Sequence, residues 1–525
     1  MMTVRKMSTL AAAAAVACSL LAGTAVQAAP AKDQVRLIVA YKLDGAPVLR
    51  ALVAKLGGTV VRDLEDVDAL AISLPRAALA NLRAAKAVDY VEEDAVRTIQ
   101  GARSAAKASA AAVAATSQTV PYGITLTQAD QITGTPAWKP KVCIVDSGID
   151  GGHEDLVGNT MAGKNLTTSG TWNSDESAHG THVAGTIAAL NNSLGVVGVN
   201  GNKQVSLYIA KVFDASDSAS TSTIVAGINA CARARANVVS MSLGGSSASQ
   251  TEKRALDKLY NRGALLIAAS GNAGTTAVSY PAGFPNVMSV AAVDSSMAWA
   301  SFSQYNPEVE IAAPGVAVQS TVPPNLQSMA VTSVGGTSYP TLAMDGAPAL
   351  SATGPLADFG LGEAAVAGSM TGKVCLISRG NISFADKVVN CTASGGIGAI
   401  IYNNTAGELA GTMGTVVTTI PSVGATQADG ATMLTQLGQS ASVGIVPDPS
   451  KYAAFNGTSM ATPHVSAIAA LVWSYYPQCT GEQIRSTLKK SALDIDAPGV
   501  DNKTGAGLVQ ARAAFDRIAT LGCGN

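Results

Sequence analysis

At 525 residues the chain is too long for one ordinary domain, and its 47% hydrophobic content is enough for several cores. Its 35 Lys and Arg against 36 Asp and Glu leave a net charge of -1, so the composition excludes the basic excess of a nucleic-acid or acidic-membrane binder. Arg5 and Lys6 precede a small-residue apolar run over 10–26, and Val26-Gln27-Ala28 offers small side chains for cleavage, so residues 1–28 read as an export signal. No uninterrupted apolar run reaches the roughly 18 residues of a spanning helix, and no membrane anchor is expected. Cys18 leaves with the signal. The six that remain, Cys143, Cys231, Cys375, Cys391, Cys479 and Cys523, favour disulfides in an exported chain, and no Cys-x-x-Cys pair suggests zinc or redox chemistry.

From Gln34 to about Gln100, strand-like "QVRLIVAYK", "TVVRDLE", "ALAISLP" and "VDYVEEDAV" alternate with helix-like "APVLRALVAKLG" and "RAALANLRAAK". The order β-α-β-β-α-β is a ferredoxin-like arrangement. Residues 101–116 are almost all Ala and Ser and offer no apolar face, so they read as an exposed linker. From Gln118 to about Pro324, apolar strands ("KVCIVDSG", "VSLYIAKVF", "NVVSMSLGG", "ALLIAAS", "VMSVAAV") alternate with helices, which implies an α/β fold with a parallel sheet covered on both faces. Residues 325–448 are richer in Gly, Thr and Ser and read as a β-rich module inserted in that domain. Helical periodicity returns at "SMATPHVSAIAALVWSYYP", so the α/β part resumes at about 449.

Three polar islands interrupt apolar runs. "VCIVDSGID" ends a buried strand in Asp146, where open parallel sheets bind ligands; "DESAHGTHVAGTIAAL" starts a helix at His179; "NGTSMATPHV" places Ser459 at the start of another. These are the residue types of nucleophilic acyl transfer, in the order Asp, His, Ser: the serine attacks, the histidine takes its proton, and the aspartate fixes the imidazole. His179 and His182 lack an HExxH spacing and a third ligand, so zinc is not expected. His153, His182 and His464 read as structural.

These motifs, over roughly 117–324 and 449–525, resemble the subtilisin family of serine proteases. The resemblance implies that Asp146, His179 and Ser459 form a catalytic triad and that Asn272 in "AASGNAG" is the side-chain oxyanion donor beside the Ser459 N–H. It further implies that Ser242, Leu243 and Gly244 of "SLGG" pair with extended peptide substrate and that Ser279 lies near the base of the primary pocket. None of these is acidic, so a broad neutral or apolar preference is expected. The opposite edge strand, usually glycine-rich in the family, reads "DASDSAS" at 214–220, which leaves selectivity further from the cleaved bond open. "ALNNSLGV" looks like the family's structural calcium loop, with carbonyls of Leu190, Leu194 and Val196, the Asn192 side chain, Asp155 and Gln118 as ligands.

The block 34–100 resembles the family's inhibitor-like propeptide, which implies a zymogen that inhibits itself and cuts its own chain near Thr116–Ser117, so that 29–116 is lost. The insert resembles a protease-associated domain over 372–404; Cys375 and Cys391 straddle its loop and helix and suggest a local disulfide, and Cys479 and Cys523 bracket the C-terminal segment as a second pair. Cys143 and Cys231 read equally well as a pair or as two free thiols. The expectation is therefore a secreted, monomeric, calcium-stabilised endopeptidase acting on protein and peptide substrates. The competing reading is a non-catalytic protein that binds through the insert. An esterase is disfavoured, because Ser459 lies in Gly-Thr-Ser-Met-Ala rather than a Gly-x-Ser-x-Gly elbow.

Overall fold

The computed structural model describes residues 33–100, 117–326, 328–414 and 416–525; the signal and linker readings at 1–28 and 101–116 lie outside them. The first block runs β1 (Gln34–Tyr41), α1 (Ala46–Lys55), β2 (Thr59–Leu64), β3 (Ala69–Pro75), α2 (Leu79–Arg83) and β4 (Val88–Glu93), with sheet order β2-β3-β1-β4. Alternation in β1 and β3 turns Leu37, Val39, Leu70 and Ile72 onto Leu49 and Val53 of α1, giving this block its own core. A further strand, β5 (Val96–Ile99), leaves this block and pairs elsewhere.

The α/β part follows with α3 (Tyr122–Leu126), β6 (Lys141–Asp146), β7 (Met161–Asn165), α4 (His179–Ala188), β8 (Ser206–Lys211), β9 (Ser218–Ser220) and α5 (Thr221–Arg233). It continues through β10 (Val238–Met241), β11 (Leu243–Gly244), α6 (Gln250–Tyr260), β12 (Leu265–Ala269), β13 (Val287–Val293), β14 (Val309–Pro314) and β15 (Val318–Thr321). Seven strands form one parallel sheet in the order β14-β13-β12-β10-β6-β8-β7. Every residue of β12 and β13 is buried, as expected for strands covered on both faces. The strands absent from the sequence reading are the two edges: β7, which carries Gly163 and Lys164, is only partly buried, whereas β14 is buried but has a weak strand pattern because it carries Glu310 and two alanines and ends in Pro314.

Strand β15 pairs antiparallel with β24 (Tyr452–Phe455), and the insert grows out of this ribbon. The Val322 N–H donates to the Lys451 carbonyl at 2.7 Å and the Asn325 N–H to the Asp448 carbonyl at 2.7 Å, so the chain leaves and returns at one point. Between them lie β16 (Ser328–Val334), β17 (Thr337–Tyr339), β18 (Leu342–Ala343), β19 (Ser351–Asp358), β20 (Val374–Ser378), α7 (Phe384–Ala393), β21 (Gly398–Tyr402), β22 (Ser422–Ala425), α8 (Gln427–Leu434) and β23 (Ser440–Pro447). The eight strands make one sheet, with a separate apolar cluster on each side.

Helix α9 (Thr458–Tyr475) follows directly and is buried along almost its whole length against β10, β12, β13, β14 and α4. Because it is surrounded, its polar residues Thr462, His464 and Ser466 are buried along with its apolar ones. Helices α10 (Gly481–Lys490) and α11 (Ala511–Leu521) close that face. Cys375–Cys391 and Cys479–Cys523 are bonded, and so are Cys143 and Cys231, the pair left open by the sequence; Cys143 on β6 faces Cys231 on α5 with Cα atoms 5.7 Å apart.

Candidate active site

The carboxyl ends of β6, β10 and β12 and the amino ends of α4 and α9 meet at one edge of the parallel sheet. Asp146 is the last residue of β6 and is fully buried; its Oδ1 lies 2.8 Å from His179 Nδ1 and accepts the Ser147 N–H at 2.8 Å. Burial works against protonation of His179, but the Asp146 charge and hydrogen bond, with Asp175 and Asp217 beyond, outweigh it and hold the imidazole above its usual range. His179 Nε2 has no hydrogen-bond partner among the described residues, and the Ser459 hydroxyl donates to the Ser242 carbonyl at 3.0 Å.

Ser459 is the second residue of α9, whose N-cap, Gly457, has φ 150°, a conformation open to glycine. The Asn272 amide is oriented by its Oδ1, which accepts the Thr458 N–H at 2.9 Å and hydroxyl at 2.8 Å, so Nδ2 points into the site. Both Asn272 Nδ2 and the Ser459 N–H, the latter at 3.1 Å, donate to one carbonyl oxygen, that of Gln100. The chain from Gly101 to Thr116, on which the expected break near Thr116–Ser117 falls, lies outside the described residues; the carbonyl held by these donors follows directly on the last residue of β5.

Strand β5 delivers it. It is the middle of a three-stranded antiparallel sheet between β11 and β9, with Leu243 opposite Ile99 and Gly244 opposite Thr98, and the Gln100 N–H donates to the Ser242 carbonyl at 3.3 Å. Ser242 also donates its hydroxyl to the Ser459 carbonyl at 2.8 Å. A Cβ on Gly244 would stand 2.2 Å from Ser279 Oγ and 3.3 Å from Gln100 Cγ, so glycine is what leaves room for the Gln100 side chain.

A model of the subtilase family matches residues 138–350 and 389–507, and a peptidase inhibitor domain model matches residues 11–94. The chain belongs to the subtilase family. Subtilisin DY of Bacillus licheniformis is 44% identical over 239 residues, covering 44% of this chain and 84% of that enzyme; the alkaline elastase YaB of Bacillus sp. (strain YaB) is 38% identical over 320 residues, covering 61% and 72%. Among solved structures, the psychrophilic subtilisin-like protease Apa1 from Pseudoalteromonas sp. AS-11 superposes with a TM-score of 0.55 at 40% identity, over 78% of this chain and all of that one. Fervidolysin from Fervidobacterium pennivorans, at 22% identity and a TM-score of 0.57 over 93% of this chain and 62% of that one, shares the fold. This subtilase is therefore a serine endopeptidase with a subtilisin-like α/β fold and an inhibitor domain ahead of it.

Several residues that shape the subtilase site escaped the sequence reading. Asp175 is buried and accepts from Ser147 Oγ, the N–H groups of Ser177, Ala178 and Thr181, and Thr181 Oγ1, which fixes the turn into α4 and hence His179; burial nevertheless pushes its carboxyl up. Lys211, also fully buried, donates to the carbonyls of Ser147 at 2.7 Å and Ser174 at 3.0 Å and pairs with Glu176. On the inhibitor block, Glu92 accepts the N–H groups of Gln250 and Thr251 at the start of α6, and Asp94 that of Ser222 at the start of α5. Two carboxylates of this block thus cap two helices of the protease.

The predicted calcium ligands converge. Gln118 Nε2 lies 2.7 Å from the Leu190 carbonyl, 3.3 Å from that of Leu194, 3.4 Å from that of Val196 and 3.5 Å from Asn192 Oδ1. An amide nitrogen has two hydrogens and cannot serve four acceptors, whereas a hard cation wants that oxygen set, completed by turning the amide so that Oε1 faces inward. The fully buried Asp155 carboxylate accepts from Asn192 Nδ2 at 2.8 Å and from the Val196 N–H at 2.9 Å beside them. The donor set fits calcium, although no cluster of three or more His, Cys, Asp or Glu exists among the described residues.

Proposed function

We propose that this subtilase is a secreted enzyme made as a self-inhibited precursor, that Asp146, His179, Ser459 and Asn272 carry its chemistry, and that it first cuts its own Gln100–Gly101 bond. The observation that carries this reading is the Gln100 carbonyl, held by the Ser459 N–H and Asn272 Nδ2. In the reaction the Ser459 hydroxyl turns from the Ser242 carbonyl toward His179 Nε2, gives up its proton there, and Oγ attacks the Gln100 carbonyl carbon. The two donors take the negative charge that forms on the oxygen. Asp146 holds Nδ1 and stabilises the imidazolium, which then protonates the leaving Gly101 amine. Water, activated by the same imidazole, releases the acyl group.

Other substrates take the place of β5 between β11 and β9, bound mainly through backbone, with a neutral residue in the pocket of Gly244 and Ser279. Residues 29–100 then act as inhibitor, anchored by the Glu92 and Asp94 caps, and 101–116 stay on the protease until trimmed. Gln118, Asp155, Leu190, Asn192, Leu194 and Val196 hold a structural calcium ion, which ties the 190–196 loop to the segment around Gln118. Residues 325–448 are assigned as a protease-associated domain that controls approach to the cleft. Export is supported by the 1–28 pattern and the disulfides. The deciding comparison is casein hydrolysis by wild type and Ser459→Ala: the variant is expected to be inactive, and full activity would overturn the assignment.

A further inference from the structure

Counting back from the Gln100 carbonyl, Arg97 of β5 fills the fourth subsite. Its side chain is fully buried, and so is Glu252 on the first turn of α6. The guanidinium forms a two-pronged contact, Nε to Glu252 Oε1 at 3.2 Å and Nη2 to Oε2 at 2.6 Å, and Nη2 also donates to the Ser247 carbonyl at 2.8 Å. The route to that carboxylate crosses Gly245, where a Cβ would stand 3.0 Å from Arg97 Nη1 and 3.3 Å from its Cδ. Backbone pairing on both sides, Gly244 with Thr98 and Ala219 with Arg97, holds the strand so that the side chain at this position enters the pocket.

A buried carboxylate costs a great deal unless a cation with matching geometry meets it, and the planar guanidinium is the side chain whose fork does so. Once β5 departs, Glu252 and the Ser247 carbonyl stay on the protease. They are then offered to whatever extended chain follows. A chain with alanine there leaves the carboxylate unpaired, and one with an acid is repelled.

We propose that Glu252 makes the fourth subsite selective for arginine, so that the preferred substrates are protein segments with Arg four residues before the cleaved bond and a neutral residue immediately before it. This rests on the reading of Gln100–Gly101 as the bond presented to Ser459. The ion pair is then more than a latch for the inhibitor block, because a free peptide carries the same arginine without that block.

The test uses the processed wild-type enzyme and internally quenched peptides Val-Xaa-Thr-Ile-Gln-Gly-Ala, which copy residues 96–102, with Arg, citrulline, Ala or Glu as Xaa. Citrulline keeps the shape of arginine and removes its charge. The Arg peptide is expected to exceed the citrulline and Ala peptides at least about tenfold in kcat/KM, with Glu slowest. In Glu252→Gln the Arg-to-citrulline ratio is expected to fall to within about threefold, a readout internal to each enzyme and so independent of its overall activity. Equal cleavage of all four peptides at Gln-Gly by wild type overturns the subsite assignment and leaves the cleavage reading standing. Cleavage of casein with no cut at Gln-Gly in any peptide overturns the cleavage reading and the proposal with it.

Discussion

The Cys143–Cys231 bond joins the strand that ends in Asp146 to the helix capped by Asp94, and both cysteines are fully buried. Replacing both by alanine in a Ser459→Ala chain, which cannot digest itself, removes one cross-link and no active-site group. The bond spans 88 residues, and loop-closure entropy for a loop of that size amounts to about 4 to 5 kcal/mol at 25 °C, against about 3 kcal/mol for the 16-residue span of Cys375–Cys391. All 4 tryptophans, Trp138, Trp172, Trp299 and Trp473, lie outside 325–448, so their fluorescence in urea follows the α/β part alone. The Cys143→Ala, Cys231→Ala chain is expected to lose about 4 kcal/mol or more in that transition. Cys375→Ala with Cys391→Ala, inside the separate cores of the insert, is expected to leave it nearly unchanged. A loss below about 1 kcal/mol for the first pair, or equal losses for both, would refute the reasoning.

Asn272→Leu removes one of two oxyanion donors and should lower kcat on a peptide substrate by about 10²- to 10³-fold with little change in KM, the size of effect seen when a subtilisin loses one such donor; a change confined to KM would count against it. Burial lowers His182 to about 3 and His464 to about 4, so each is neutral in the fold but takes a proton in the unfolded chain below about pH 6.5. Their contribution is intact above that pH and is lost as pH falls toward those values, by up to about 1.4 kcal/mol per pH unit for each. Urea midpoints between pH 7 and 4.5 should show that slope, and a flat profile would exclude it. Removing divalent cations with EDTA should lower the melting temperature of the processed enzyme and added calcium should restore it, whereas an unchanged value would argue against the 190–196 loop as a cation site.

The polar groups at the sheet edge were legible because each borders an apolar run: Asp146 closes "VCIVD", and Ser459 opens the helix that continues into "AIAALVW". The structure pairs Asp146 with His179 and brings Asn272 and the Ser459 N–H onto one carbonyl. What the sequence concealed depends on long-range pairing. Glu252 sits in "QTEKRALDKLY", where it reads as one solvent-facing charge among several, and its partner Arg97 lies 155 residues away. The contact of Gln100 with the site was hidden for the same reason: the Ala-rich run after Gly101 draws the eye as a place to cut, whereas the register of the strand before it is set by Glu92, Asp94 and β5. The Cys143–Cys231 bond was undecided for a similar reason: composition cannot tell a buried pair of thiols from a bond, and only the approach of β6 to α5 does.

Intact mass of the products after expression of the full chain tests the central claim most directly. Wild type is expected to yield an N-terminal fragment ending at Gln100, and Ser459→Ala to keep the Gln100–Gly101 bond whole. Cleavage of that bond in the Ser459→Ala chain, or a wild-type chain that leaves it whole while hydrolysing casein, would contradict the account.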